Sequence, residues 1–156
     1  EPRPDMATDS TRLGSAVHRV LEWASQQRAP ALAPLAEAAA QEFGAPAAEV
    51  LGITQRIWRS PDCARFFNAA GLSWAGSEVT LSAGADMLRL DRLVALQEGG
   101  QTVWWVLDYK LEHRPEALAD YRQQLLRYRD AVQRLQPSER VRSAFITGAG
   151  ELVEVV

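Results

Sequence analysis

The chain has 156 residues, and its 17 Lys and Arg residues against 20 Asp and Glu residues give a net charge of −3. With 47% hydrophobic and 24% charged residues it can bury a core, which excludes a disordered chain. No apolar run reaches the roughly 18 residues of a membrane-spanning helix. The mild acidity argues against a free-standing, high-affinity nucleic-acid binder, because such binding needs basic residues against phosphates, but it is compatible with an enzyme that acts on DNA.

The first part of the chain is predicted to be helical. Residues 1–10 contain two prolines and no apolar period, which predicts a linker or ragged terminus. Apolar residues then recur at three- and four-residue spacing, and Gly44 and Pro46 mark an end and a beginning of helices. We interpret residues 31–71 as a helical insert. The predicted helices span about residues 11–27, 31–43 and 46–60, followed by a short segment over 61–71.

After Gly71 the hydrophobic pattern becomes alternating, and β-branched and aromatic residues gather between turn signals, which predicts a sheet. A long amphipathic helix interrupts the strands and ends at Pro137. This order predicts a single α/β or α+β domain over residues 11–156, with a central mixed sheet flanked by helices. The predicted strands are 77–82, 87–96, 102–110, 141–147 and 152–156, and the predicted helix is 116–136.

The single cysteine, Cys63, cannot form an internal disulfide and cannot hold zinc or an iron–sulfur cluster alone. Such cysteine usage is typical of a reducing compartment, so we expect a cytoplasmic protein without membrane association. The chain starts at Glu1 without an initiator methionine or secretory signal. We therefore expect a domain of a longer polypeptide.

The strongest candidate for chemistry is the strand that ends in Asp108, Tyr109 and Lys110. Alternation along a strand places Asp108 and Lys110 on one face. If the chain folds back at the Gly99-Gly100 hairpin, Asp91 becomes the cross-strand neighbour of Asp108. Two close carboxylates repel unless a cation lies between them, and oxygen ligands favour Mg²⁺ or Mn²⁺. The alternative is a pair of ordinary salt bridges, since so short a motif is common.

Lys110 is the only lysine among 17 basic residues. An ammonium is a compact charge whose pKa can shift, whereas a guanidinium stays protonated. The choice of lysine at this position therefore favours a role with a proton or a water molecule, with chance as the alternative.

Two helices supply further polar side chains. On the first helix Gly14, His18 and Glu22 recur every four residues. Glycine permits close approach of another element, and His18 is either a packed or surface residue or a metal ligand. On the long helix Gln124 and Tyr128 lie one turn apart. This pair is either solvated and packed, respectively, or turned toward the site and a nucleic-acid backbone.

Four motifs in sequence order resemble those of the RecB-like nuclease domain of the PD-(D/E)xK superfamily: Gly14-x3-His18-x3-Glu22, Asp91-Arg92-Leu93, Asp108-Tyr109-Lys110 and Gln124-x3-Tyr128. Such domains form the C-terminal part of helicases of the UvrD, AddA and RecB type. The resemblance covers about residue 11 to the end and implies a restriction-endonuclease-like core.

The resemblance implies a metal-dependent deoxyribonuclease of the exonuclease type, in a helicase–nuclease for double-strand-break repair and recombination. Its partners would be DNA, the rest of the parent helicase chain and a second helicase–nuclease subunit. In this interpretation Lys110 orients or deprotonates the attacking water, and Gln124 and Tyr128 contact DNA. Glu78 is an auxiliary acidic residue, and Glu22 supports the ligands. The implied ligands of Mg²⁺ or Mn²⁺ are His18, Asp91, Asp108 and the backbone carbonyl of Leu107.

The chain departs from the family pattern at two points. Many relatives hold an iron–sulfur cluster with four cysteines, and since only Cys63 is present, no cluster is expected. The second motif usually reads Gly-x-Ile-Asp, whereas this chain has Arg89-Leu90-Asp91 without the glycine. The main alternative is a catalytically inactive nuclease fold that holds DNA or docks a protein in the same parent. A stand-alone endonuclease of restriction type is a third.

Overall fold

The computed structural model describes residues 4–156, with side chains from Asp9 onward. Its helices are α1 (Pro4–Ser25), α2 (Leu32–Phe43), α3 (Ala47–Arg59) and α4 (Ala119–Leu135). Its strands are β1 (Leu72–Ala83), β2 (Asp86–Glu98), β3 (Gln101–Lys110), β4 (Arg140–Thr147) and β5 (Leu152–Val155). Short 3-10 turns occupy Ala64–Phe66, Ala69–Gly71 and Pro115–Ala117.

The five strands form one sheet in the order β1-β2-β3-β4-β5. Strands β3 and β4 are parallel and are joined through α4, whereas the other neighbouring strands are antiparallel. A parallel pair needs a crossover, and the amphipathic helix predicted between these two strands provides it. The predicted α+β class with a mixed sheet between helices is confirmed.

The start of the first helix differs from the prediction. Helix α1 begins at Pro4, so residues 4–10 are helical and do not form the predicted linker, while residues 1–3 lie outside the described part. A proline at the first helical position costs no hydrogen bond, because an N–H there would have no partner within the helix. Strand β1 also begins earlier than predicted, at Leu72 instead of Ser77. The remaining elements lie where the sequence predicts them, with ends shifted by a few residues.

The sheet separates two hydrophobic cores. On one face α1, α2 and α3 pack with the inner side chains of the sheet, and the large buried residues there include Leu21, Ile57, Phe66 and Trp105. On the other face α4 covers a second core that includes Leu90, Val106, Leu125 and Phe145. Helices α1 and α4 therefore approach the sheet from opposite sides. None of the described helices has the length and apolar composition needed to cross a bilayer.

The hairpin of β1 and β2 changes its buried face part-way along. Leu90 belongs to the core under α4, whereas Val94 belongs to the core under α1 to α3, although residues of equal parity share a face in a regular strand. The change occurs at Glu78 of β1, where φ is 52°, and at the facing Asp91 of β2. An irregularity of this kind interrupts pairing and reorients side chains. It leaves polar groups available at this point of the sheet.

Candidate active site

The strand register brings three acidic residues into one row. Arg92 stands opposite Leu107 in the hairpin of β2 and β3, which is the predicted register, and the next position sets Asp91 against Asp108. The ladder between β1 and β2 passes over Glu78, which faces Asp91. The pairing of β1 with β2 skips Glu78 and Asp91, and the pairing of β2 with β3 ends before Asp91 and Asp108, so this row lies where the ladder is interrupted.

Asp91 is held by both of its carboxylate oxygens. Oδ2 accepts a hydrogen bond of 2.8 Å from the backbone N–H of Tyr109. Oδ1 lies 3.4 Å from Nδ1 of His18, which α1 brings to the sheet. The other ring nitrogen of His18, Nε2, lies 3.2 Å from the carbonyl oxygen of Tyr109. One imidazole therefore contacts both an acidic side chain and the backbone of β3.

Mutual stabilisation changes the acidity of this pair. Burial acts to lower the pKa of His18, but the hydrogen bond and charge of Asp91 outweigh burial, so the pKa of His18 is raised. Burial acts to raise the pKa of Asp91, but the hydrogen bond and charge of His18 outweigh it, so the pKa of Asp91 is lowered. The pair therefore favours an ionised Asp91.

Asp108 is in a less favourable position. It is 4% exposed, and its Oδ2 accepts no hydrogen bond from any described residue, although the Lys110 ammonium nitrogen lies 3.3 Å away. Burial, followed by the neighbouring Asp91, raises the pKa of Asp108 to about 8. A buried carboxylate oxygen that accepts no hydrogen bond is costly, so this group is suited to a cationic ligand.

Lys110 sits at the mouth of the site. Its ammonium nitrogen lies 4.7 Å from the centre of the Tyr121 ring, and the Tyr121 hydroxyl donates a hydrogen bond of 3.1 Å to Glu112. Burial acts to lower the pKa of Lys110, but the charge of Asp108 more than offsets burial and the pKa is raised. Lys110 is therefore a fixed ammonium between a carboxylate and an aromatic face.

Glu78, expected to be an auxiliary residue, lies close to His18 and Asp91. His18, Glu78 and Asp91 each offer one donor atom, and these atoms lie within 4.8 Å of one another. Arg89 pairs with Glu78 through Nε and Oε2 at 2.6 Å. The resemblance names Glu78, but no residue pattern predicts its left-handed backbone, because this conformation is uncommon at a glutamate.

The backbone carbonyl of Leu107, which the resemblance implies as a metal ligand, does not face the acidic row. A two-residue hairpin closes on a hydrogen-bonded pair, and every second pair after it is hydrogen-bonded. Leu107, opposite Arg92, belongs to that set, so its carbonyl is committed to the sheet. The carbonyl of Tyr109, two residues beyond the last residue of β3 that pairs with β2, is the one that faces His18. The carbonyl oxygen at the site is therefore that of Tyr109.

The other predicted residues line surfaces next to the acidic row. Glu22 shares a cleft with His18, Glu78 and Arg89. On the other side of Arg89, Gln124 and Tyr128 line a groove along α4. Burial, followed by the charge of Asp108, raises the pKa of Tyr128. The structure thus places Gln124 and Tyr128 beside the site and Glu22 on its opposite flank.

Gly14 does not have the close neighbour that its position predicts. A Cβ atom built at Gly14 would have no described atom within 4 Å. The glycine instead lines a cleft of about 490 Å³ together with Ser15, His18, Tyr109 and Lys110. Its lack of a side chain leaves space open in this cleft beside His18 and Lys110.

Comparison of the sequence with known protein families assigns the chain to a family. The family description "PD-(D/E)XK nuclease superfamily" matches residues 1–153. The chain belongs to the PD-(D/E)XK nuclease superfamily. Nucleases of this superfamily hydrolyse phosphodiester bonds, and divalent metals are typical of them.

No curated protein matches this PD-(D/E)XK domain. Five chains of known structure match it. One of them, described as the crystal structure of SSO0001, is 18% identical with a TM-score of 0.35. That match covers 94% of this chain and 64% of the other, so the domain spans less than two thirds of that protein.

Proposed function

We propose that this PD-(D/E)XK domain is a Mg²⁺- or Mn²⁺-dependent deoxyribonuclease of the RecB-like type. It acts as an exonuclease within a UvrD- or RecB-type helicase–nuclease that processes double-strand breaks for repair and recombination. The observation that carries the proposal is the buried Oδ2 of Asp108, which accepts no hydrogen bond from the described residues and lies beside Asp91, with the Lys110 ammonium nitrogen 3.3 Å away. A purely structural carboxylate would be expected to have its hydrogen-bond partners.

The donor atoms fit a small divalent cation. Neighbouring ligands of an octahedral ion bound at about 2.1 Å lie about 3 Å apart. His18, Glu78 and Asp91 each offer one donor atom within 4.8 Å of the others, which is close to the span of such a ligand set. The residues that would hold the ion are His18, Asp91, Asp108 and the carbonyl of Tyr109, with Glu78 as a further acidic ligand. A mixed imidazole, carboxylate and carbonyl set suits Mn²⁺ and Mg²⁺.

The reaction is hydrolysis of a phosphodiester bond by in-line attack of water. A bound divalent cation supplies Lewis acidity that activates water and stabilises negative charge on the phosphoryl oxygens. Asp108 and the Tyr121 ring hold the Lys110 ammonium in place, and from there it donates a hydrogen bond to the attacking water or to a phosphoryl oxygen. The cleft that Gly14 keeps open receives the DNA strand, and Gln124 and Tyr128 contact its backbone from α4.

The helicase context rests on the four motifs in their RecB-like order. The partners in this proposal are the rest of a parent helicase chain and a second helicase–nuclease subunit. No base-reading element is evident in the described residues, so sequence-independent cleavage is expected, with substrate choice made by how the motor delivers DNA.

The test is calorimetric titration of Mn²⁺ and Mg²⁺ into the wild-type domain and into the Asp91→Ala and Asp108→Ala variants. We expect binding by the wild type and at least a tenfold loss in each variant, since both carboxylates would serve one ion. Glu98→Gln, which removes a charge at the other end of β2, is the control and should bind as the wild type does. Cleavage of single- and double-stranded DNA is measured on the same samples. Wild type that binds no metal and cuts no DNA would favour the inactive docking module instead.

A further inference from the structure

We propose that Arg89 is an exchangeable partner of Glu78. When Glu78 takes part in binding the metal, the Arg89 side chain leaves Glu78 and binds a DNA phosphate. Metal and DNA would then strengthen each other's binding through one side chain. This inference rests on the proposed nuclease function, because it needs a cation at the acidic row.

The charges at the site form three pairs before any ion is bound. Asp91 faces His18, Asp108 faces Lys110, and Glu78 faces Arg89. A divalent cation placed among these three carboxylates competes with their basic partners. The electrostatic cost of binding is lowest if one partner leaves, so the question is which of the three can leave.

Exposure distinguishes Arg89 from the other two. The side chain of Arg89 is 70% exposed, whereas those of His18 and Lys110 are 27% and 21% exposed. His18 is also held by the backbone of Tyr109, and Lys110 lies over the Tyr121 ring. Exposed ion pairs are weak and are easily exchanged for water or another ion. Arg89 is therefore the partner that can leave with the least loss.

Arg89 lies where its side chain could reach a DNA phosphate after leaving Glu78. It lines the cleft that contains His18 and Glu78 and also the groove on α4 that contains Gln124 and Tyr128. A DNA backbone that crosses from one to the other passes the Arg89 side chain. A guanidinium binds phosphate through two parallel hydrogen bonds, which makes it well suited to accept this new partner.

The strained backbone of Glu78 indicates that the position of its carboxylate has a functional role. Its φ of 52° lies in the left-handed region, which a non-glycine residue occupies at some cost and which is found mainly at functional sites. The side chain is 21% exposed, so Glu78 stays at the acidic row whether or not Arg89 remains bound. What changes on exchange is the Arg89 side chain alone.

The exchange makes two thermodynamic predictions. Without DNA, Arg89 competes with the cation for Glu78, so its removal should tighten metal binding. With DNA, the released Arg89 should add affinity only when metal is present. By linkage, the factor by which metal strengthens DNA binding equals the factor by which DNA strengthens metal binding. Removal of Arg89 should reduce both factors equally.

The first measurement is titration of Mn²⁺ into DNA-free wild type, Arg89→Met and Arg127→Met. Arg127 is the matched control, because it lines the same groove, forms an exposed pair with Asp86 and loses the same charge on substitution. We expect Arg89→Met to bind Mn²⁺ about three- to fivefold more tightly than Arg127→Met, which corresponds to the strength of one exposed ion pair. In a Glu78→Gln background Arg89→Met should have no such effect.

The second measurement is fluorescence anisotropy of a labelled oligonucleotide with and without Ca²⁺, an oxygen-binding cation too large for the octahedral geometry of Mg²⁺. We expect Ca²⁺ to tighten DNA binding by the wild type and to do so at least threefold less in Arg89→Met. Arg127→Met should weaken DNA binding by the same factor in both conditions.

The outcomes separate this inference from the proposed function. Wild type that binds Mn²⁺ while Arg89→Met binds it equally or more weakly would overturn the exchange and leave the nuclease site intact. Equal effects of Arg89→Met and Arg127→Met would also overturn it, because only general electrostatics would remain. Wild type that binds no Mn²⁺ would overturn both.

Discussion

Two groups of charged residues lie at opposite ends of β3, and they differ in how their charges are paired. At the start of the strand, Arg142 binds Glu98 through Nη1 and Oε1 at 2.7 Å and Glu154 through Nε and Oε2 at 2.7 Å. Its guanidinium lies 4.2 Å from the Trp105 ring centre, and the Trp105 indole N–H donates to Glu98 at 2.7 Å. Every charge there has a partner.

At the end of the same strand, Asp108 has a buried carboxylate oxygen that accepts no hydrogen bond from the described residues, and burial together with Asp91 raises the pKa of this carboxyl group to about 8. The difference indicates which of the two charged groups is structural. A saturated network can add to stability by itself, whereas an unsaturated one persists at a cost to stability. That cost is expected where a ligand later completes the pairing.

Replacement of Asp108 by Asn should give the largest effect and should act in opposite directions on activity and stability. We expect cleavage to fall by about a thousandfold, since the ion loses a ligand and Lys110 loses its partner. The metal-free protein should gain about 1–2 kcal/mol, because repulsion with Asp91 is removed. Single-turnover cleavage and urea denaturation with a chelator measure the two effects. A loss of stability on substitution would show that Asp108 is a structural residue like Glu98.

Replacement of Arg142 by Met should lower stability and leave metal binding at the acidic row unchanged. Glu98 and Glu154 would lose a shared cation in a partly buried place, which should cost about 2–3 kcal/mol of unfolding free energy. Mn²⁺ affinity at the acidic row should stay within twofold of the wild type. Arg140→Met, an exposed arginine on the same strand, is the control and should change stability by less than about 0.5 kcal/mol. If Arg142→Met altered metal affinity tenfold, the two groups would not be independent.

The pH dependence of the saturated group gives the smallest effect. Hydrogen bonds from Arg142 lower the pKa of Glu154 below its ordinary value of 4.5. A carboxyl whose pKa is lower in the folded state stabilises the fold above the unfolded pKa and loses that contribution as the pH falls through the folded value. The stability difference between wild type and Glu154→Gln, up to about 1 kcal/mol at pH 7, should therefore shrink toward zero below pH 4. A difference that grows on acidification would contradict the pairing.

The sequence predicts the local part of the site better than its long-range part. The Gly99-Gly100 hairpin sets the register that brings Asp91 opposite Asp108, because a tight turn fixes which residues face each other. The helical spacing of Gly14 and His18 likewise predicts a helix face, and α1 does present His18 to Asp91. These inferences need only local geometry.

Three features could not be predicted because they depend on tertiary packing. The left-handed backbone at Glu78, and with it the reversal of the buried face along β1 and β2, has no residue signature. The carbonyl of Tyr109, and not that of Leu107, faces His18 because the pairing of β2 and β3 stops two residues before Tyr109. The pairing of Arg142 with Glu98 depends on the parallel register of β3 and β4, which the packing of α4 determines.

Lys110 also gives this sequence a single side-chain amine that amine-specific reagents can modify. Because it is the only lysine in the 156 residues, an acylating or reductively methylating reagent can modify one side-chain amine, beside the α-amine of the terminus. That amine is 21% exposed and ion-paired, so its rate of modification is governed by what surrounds Asp108. Mass spectrometry of one peptide can therefore follow events at the acidic row without any label on DNA.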